Sequence, residues 1–148
     1  MKIKQDLLQA CMDYANKRIS SYKNEVDTIK ESIESNDKTS DNDDDSGNGK
    51  LFNDLEKNSQ YLNEANKMLD GLKNMSPNTI SDKVILGSVV KTTNNNFFIS
   101  VSAGKIDLED GSYFAISFHS PIGMLLMNKS KGDKVEFNGN SFTITEVI

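Results

Sequence analysis

The chain has 148 residues and carries 17 Lys or Arg against 22 Asp or Glu, a formal net charge of −5. Proteins that bind duplex nucleic acid gain affinity from basic surfaces that release phosphate counterions, so we expect no direct, sequence-specific nucleic-acid ligand. The single cysteine excludes an internal disulfide, which favours a cytoplasmic protein. No apolar stretch approaches the roughly 20 residues that span a bilayer, so we expect no membrane segment.

The composition changes near residue 76, which predicts two domains. Residues 1–75 hold eleven basic and fifteen acidic residues, whereas residues 76–148 hold six and seven. Most of the acidity therefore belongs to the first half of the chain.

The first half contains two amphipathic seams whose members are spaced three or four residues apart, as in heptad repeats. Two matched seams joined by a connector can pair with each other, which predicts an antiparallel coiled-coil hairpin over residues 1–75. Asn58 is a polar residue on the second seam, a placement that most often fixes the register. The first seam is Leu8, Cys11, Ala15, Ile19, Tyr22, Val26, Ile29 and Ile33, and the second is Leu51, Leu55, Asn58, Leu62, Ala65, Leu69 and Leu72.

A polar tip loop is predicted at residues 34–50, where no apolar residue occurs and Asp, Asn, Ser and Gly dominate. An EF-hand register fails, because Ser46 stands where Gly is needed and Phe52 where the bidentate Glu belongs. Two interpretations stay open: a solvated loop, or carboxylates that lend coordination to a Mg²⁺ ion held by another protein. The acids crowded at this tip are Asp41, Asp43, Asp44 and Asp45.

The second half is predicted to be a β-rich domain over residues 83–148, after a linker at residues 76–82. Asn138-Gly139 favours a type I′ turn that pairs the last two strands. We expect mostly antiparallel pairing, and hence an α+β fold for the whole chain. The five β-prone runs are residues 84–93, 97–103, 113–118, 134–137 and 141–148.

A short helix is predicted between the third and fourth of these runs. Ser120-Pro121 is typical of a helix cap followed by proline at the first helical position, and the apolar residues 124–127 follow. We expect this helix to cover one face of the sheet.

The sequence contains no recognisable catalytic set. The only histidine, His119, has no cysteine near it in sequence, and Ser120 is better explained as a cap than as a nucleophile. Cys11 lies on the predicted seam, where a thiol behaves as a small buried hydrophobe. Glycine-rich phosphate-binding motifs are also missing from the sequence. We therefore expect a protein that is not an enzyme.

The order of a coiled-coil hairpin, an acidic tip and a small β domain resembles the bacterial Gre transcript-cleavage factors. Residues 84–89, VILGSV, are similar to the turn that opens the family's C-terminal domain. The other matching positions are Ser120-Pro121-Ile122-Gly123, Leu126, Lys129, Gly132-Asp133 and Val135. The resemblance implies an FKBP-like C-terminal domain that docks on RNA polymerase, and a hairpin that enters the polymerase secondary channel.

By this resemblance, the residues that dock on the polymerase are Ser120, Pro121, Ile122 and Gly123, and the four tip aspartates act on the polymerase's Mg²⁺. We expect no cofactor or stably bound metal of the protein's own, and a monomer. The family's tip sequence G-D-L-K-E-N-A-E-Y is replaced by DNDDDSGNGK, so both stimulation and inhibition of transcript cleavage stay open. The alternative is a coiled-coil interaction or scaffold module unrelated to transcription.

Overall fold

The computed structural model describes residues 2–39 and 46–148, with the side chains of residues 37–39, 46 and 47 left out. The predicted α+β fold is confirmed: two long helices precede a six-stranded sheet that carries one short helix. The elements are α1 (Lys2–Thr39), α2 (Ser46–Lys73), β1 (Val89–Thr92), β2 (Asn96–Ile99), β3 (Gly104–Leu108), β4 (Gly111–Ile116), α3 (Pro121–Leu126), β5 (Lys134–Phe137) and β6 (Asn140–Val147).

The chain forms two compact units. One comprises residues 1–14 and 71–148, and the other comprises residues 15–70. The domain limits predicted from the sequence, at residues 1–75, 76–82 and 83–148, stay a prediction.

The unit of residues 15–70 is an antiparallel helical hairpin. The rings of Tyr22 and Tyr61 lie 5.4 Å apart, and Asn36 Nδ2 donates to Asn48 Oδ1 at 3.2 Å. Residues farther along α1 therefore contact residues nearer the start of α2, which is the arrangement of an antiparallel pair. The predicted seam positions in this unit are buried or half-buried, which confirms the heptad interpretation.

The predicted tip loop at residues 34–50 is wrong at both of its ends. Helix α1 continues to Thr39, and α2 begins at Ser46. Extending an existing helix adds one hydrogen bond for each residue that is fixed, so elongation carries both helices into residues that are weak helix formers by themselves.

The sheet in the other unit has the strand order β3-β4-β2-β1-β6-β5. Strands β2 and β4 are parallel, and the remaining neighbours are antiparallel. The predicted hairpin at the last two strands is confirmed, with Asn138 at φ 52° and Gly139 at φ 81°. The prediction of five strands is wrong because it omits β3, an edge strand in which Lys105 and Asp107 interrupt the apolar pattern.

The core of this unit lies around the sheet and α3. Apolar side chains from both pack there, with Leu126 of α3 fully buried. The first turns of α1 belong to the same unit, and Cys11 Sγ lies 3.6 Å from Ser100 Oγ. None of the described helices is long and apolar enough to cross a membrane. The buried core side chains are Val84, Val90, Phe97, Ile99, Leu126, Val135, Phe142 and Ile144.

Candidate functional site

The predicted tip acids Asp41, Asp43, Asp44 and Asp45 lie outside the described residues. Residues 40–45, which contain all four, connect α1 to α2. Within residues 2–39 and 46–148, no group of three His, Cys, Asp or Glu side chains is placed to hold a metal ion. The role of the tip therefore stays a prediction.

The predicted docking residues form the beginning of α3. Ser120 Oγ accepts a hydrogen bond from Gly123 N at 3.1 Å and donates one to Ser117 O at 2.6 Å. Pro121 occupies the first turn, where its missing N–H costs nothing. The predicted cap and short helix are confirmed.

Gly123 is required by the tight corner that precedes α3. A Cβ atom at this position would lie 2.1 Å from Ser117 O and 2.9 Å from Phe118 Cα. Ile122 is half-buried and packs against the core. Three of the four predicted docking residues, Ser120, Pro121 and Gly123, thus have clear roles in forming the corner, and their contact with a partner stays a prediction.

One side of α3 presents apolar surface to solvent. Pro121 is exposed, Met124 is 62% exposed and Leu125 is 39% exposed. These positions follow the i, i+3, i+4 spacing of one helix face. Met127, in contrast, packs against the core. The helix therefore separates a core side from an outward apolar face, which we call the α3 face (Pro121, Met124 and Leu125).

A cleft of about 300 Å³ opens beside α3, and sequence reasoning missed it. Aromatic and aliphatic side chains form most of its wall, and exposed asparagines lie at its rim. We call it the asparagine-rimmed cleft. The alternation of side chains between the two faces of a strand could have indicated it. Phe97 and Phe114 line the cleft, whereas their neighbours Phe98 and Tyr113 are buried elsewhere. The lining residues are Asn94, Asn95, Phe97, Phe114, Ile116, Ile122, Phe137, Asn138, Asn140 and Phe142.

Among the predicted site residues that the structure describes, Ile122 alone lines this cleft. Its side chain belongs to the first turn of α3, directly after exposed Pro121. The structure therefore brings the predicted docking segment and the cleft together, a connection that the sequence pattern does not predict.

Two polar side chains are buried near the start of α1. Lys4 Nζ donates to Thr79 O at 2.6 Å, and desolvation lowers the pKa of this amine. Burial raises the pKa of the Cys11 thiol, only partly offset by its hydrogen bond with Ser100. A raised thiol pKa leaves less of the nucleophilic thiolate, in line with a structural cysteine.

His119 is exposed, and its ring lies 3.9 Å from that of Phe118. The two rings are tilted by 38°, and this contact gives the imidazole no acid, base or nucleophile to act with. The described contacts of His119 thus support the prediction that it is a surface residue.

Comparison with known proteins connects the sheet-bearing part of the chain to one family. Residues 78–148 match the family described as "Transcription elongation factor, GreA/GreB, C-term". No curated protein matches the chain in sequence.

Two solved structures similar to the chain are those of GreA factor homolog 1 (Gfh1) from Thermus thermophilus and Gfh1 from Thermus aquaticus. The first is 18% identical, with 94% of this chain and 95% of that chain covered and a TM-score of 0.36. The second is 20% identical, with 94% of each chain covered and a TM-score of 0.34.

Proposed function

We propose that this chain, whose residues 78–148 belong to the GreA/GreB family of transcription elongation factors, binds RNA polymerase and modulates its Mg²⁺-dependent transcript cleavage or elongation. For residues 78–148, this family match confirms the Gre resemblance noted in the sequence. The protein acts on the polymerase's active site and does not catalyse a reaction of its own. The family match is the single observation that carries the proposal.

Docking on the polymerase is assigned to residues Ser120–Gly123 and to the α3 face. The Ser120 cap and the close approach at Gly123 fix the corner, so the apolar side chains beyond it are presented without a large ordering cost. Met124 and Leu125 are apolar yet exposed, which is typical of a surface that a partner covers.

We assign the effect on the polymerase active site to the acidic tip of the hairpin. Carboxylate oxygens are the ligands that Mg²⁺ prefers, and a hairpin narrow enough to enter a channel can deliver them to a metal held by the polymerase. Added carboxylates either help to hold a second Mg²⁺ for hydrolysis or displace the metal from its productive position. The excess of acidic over basic residues in residues 1–75 favours electrostatic steering of the hairpin toward a positively charged channel.

Binding of the full-length protein to core RNA polymerase tests the docking surface. We expect Met124→Asp to weaken binding at least about tenfold, because a carboxylate would be desolvated in an apolar contact. Ile80→Asp is the matched control, since Ile80 is 76% exposed and lies outside α3. Loss of binding in both variants, or in neither, would contradict the assignment of the α3 face. Failure of the unmodified protein to bind would favour the scaffold alternative.

A further inference from the structure

The floor of the asparagine-rimmed cleft is an aromatic cluster. The Phe97 ring centroid lies 6.4 Å from that of Phe114 and 6.3 Å from that of Phe142, and both pairs are tilted. Phe97 and Phe114 are direct neighbours across the parallel pair of β2 and β4. The sheet itself therefore fixes the floor, and its position does not depend on a flexible side chain from a loop.

The rim is formed by two turns, and side-chain hydrogen bonds hold the first of them. Thr92 Oγ1 donates to Asn95 O at 2.5 Å and accepts from Asn94 N at 3.1 Å. Thr93 is joined to Thr143 of β6 through its backbone N–H and its hydroxyl. On the other side, Asn138 begins the tight β5–β6 turn. The backbone of a rim fixed in this way loses little conformational entropy when a ligand binds.

The amide side chains on the rim are free to bind a ligand. Across the described part of the chain, the side chains of Asn94, Asn95, Asn138 and Asn140 have no hydrogen-bond partner in the protein, and all four residues are exposed. Each carboxamide offers two donor hydrogens and one acceptor oxygen. This is the hydrogen-bonding complement of a peptide group.

Charge discriminates between the ligand classes that aromatic rings can bind. All of the described residues that line the cleft are uncharged, in a chain of which 26% of residues are charged. A nucleotide or single-stranded nucleic acid would stack on the rings, but its phosphates require Lys or Arg nearby. A volume of about 300 Å³ is at the small end of the range for ligand pockets, roughly 300–1,000 Å³.

We propose that the asparagine-rimmed cleft binds an extended peptide segment of a partner protein, with one uncharged apolar side chain on the aromatic floor and the peptide backbone hydrogen-bonded to the rim asparagines. The inference goes beyond the proposed function, because it does not require that the partner be RNA polymerase. Extended segments commonly dock in aromatic grooves of this kind, with backbone hydrogen bonds adding affinity.

The test is an NMR titration of the ¹⁵N-labelled full-length protein with the blocked peptide acetyl-Gly-Gly-Leu-Gly-Gly-amide. We expect dose-dependent shifts of the backbone amides of residues 94–97, 114–116 and 137–142. The same peptide with Asp in place of Leu should bind at least about tenfold more weakly, because the cleft offers no cation to a carboxylate. The absence of shifts with the leucine peptide would overturn the proposal. Shifts of these amides by uridine monophosphate alone would also overturn it and would indicate a nucleotide site.

Variants of exposed asparagines separate the rim from the fold. Asn95→Ala and Asn140→Ala should each weaken peptide binding about two- to tenfold, the usual loss for one hydrogen bond. Asn78→Ala is the matched control, because Asn78 is exposed and does not line the cleft. Unchanged affinity in both rim variants, or an equal loss in Asn78→Ala, would contradict hydrogen bonding by the rim.

Discussion

Two glycines of this chain, one crowded and one open, show how strongly the effect of a substitution depends on the neighbouring atoms. Gly123 lies in the first turn of α3 and faces the corner that precedes the helix, so an added Cβ would fall 2.1 Å from the backbone oxygen of Ser117. Gly71 lies in the last turn of α2, where an added Cβ would meet nothing within 4 Å. The same methyl group is therefore a clash at one position and a gain in helix propensity at the other.

We predict that Gly123→Ala lowers the free energy of unfolding by about 1–3 kcal/mol, the usual cost of overpacking. Gly71→Ala should raise it by about 0.5–1 kcal/mol, because alanine restricts the unfolded chain and favours helix. Urea unfolding followed by circular dichroism measures both changes. Equal effects of the two substitutions would contradict the packing described for the α3 corner.

Tyr113 predicts how stability depends on alkaline pH. Its side chain is almost fully buried, and its hydroxyl donates to Asp110 Oδ2 at 2.9 Å. Burial first, and then the hydrogen bond and the negative charges of Asp110 and Glu146, raise the pKa of Tyr113 from 10.0 to about 12. The folded protein therefore holds this proton more tightly than the unfolded chain does. The resulting stability is present in full below pH 10 and is lost as the pH rises through about 12.

The measurement is the free energy of unfolding from pH 8 to pH 11.5, for the unmodified protein and for Tyr113→Phe. The unmodified protein should lose stability more steeply above pH 10, because the variant lacks the titrating group. Parallel pH profiles would mean that Tyr113 does not carry the effect.

The long helices are the elements best predicted from the sequence, because burial on one face imposes a periodicity that survives polar substitutions elsewhere. Asn58 is the exception within the seam. Its Nδ2 donates to Asp54 O at 2.9 Å, inside its own helix. This bond does not reach α1, so it gives no support to the predicted role of Asn58 in fixing the register.

We predict that Asn58→Leu stabilises the protein by about 1 kcal/mol, since an apolar side chain at a half-buried seam position removes further apolar surface from water. Thermal and urea unfolding of the variant measure the change. A loss of stability, or a change from monomer to oligomer in sedimentation, would restore a register-fixing role to Asn58.

The strands were predicted less completely than the helices. Turn chemistry identified the β5–β6 hairpin, because Asn138 and Gly139 favour the positive φ angles that this turn needs. Strand β3 lies at the sheet edge with exposed Gly104, Lys105 and Asp107, so local patterning does not distinguish it from a loop. The cleft depends on the parallel pairing of β2 with β4, a contact between distant segments that local patterning does not reveal.

In the whole molecule, we propose that polymerase binding and the effect on its active site belong to different parts of the chain. Residues 78–148 match the C-terminal domain of a transcription elongation factor family, and docking is assigned to the part of this region around α3. We propose that the effect on the polymerase comes from the four aspartates Asp41, Asp43, Asp44 and Asp45. The two roles therefore respond to different substitutions, which makes each testable without the other.

The most direct measurement follows the RNA 3′ end in a backtracked elongation complex of RNA polymerase with Mg²⁺, with and without saturating protein. We expect the protein to change the rate of transcript shortening or of elongation. The combined change of Asp41, Asp43, Asp44 and Asp45 to Asn should abolish this effect without loss of polymerase binding, because amides are much weaker Mg²⁺ ligands than carboxylates. An unchanged rate with bound, unmodified protein, or full activity of the four-Asn variant, would contradict a role of the tip aspartates at the polymerase active site.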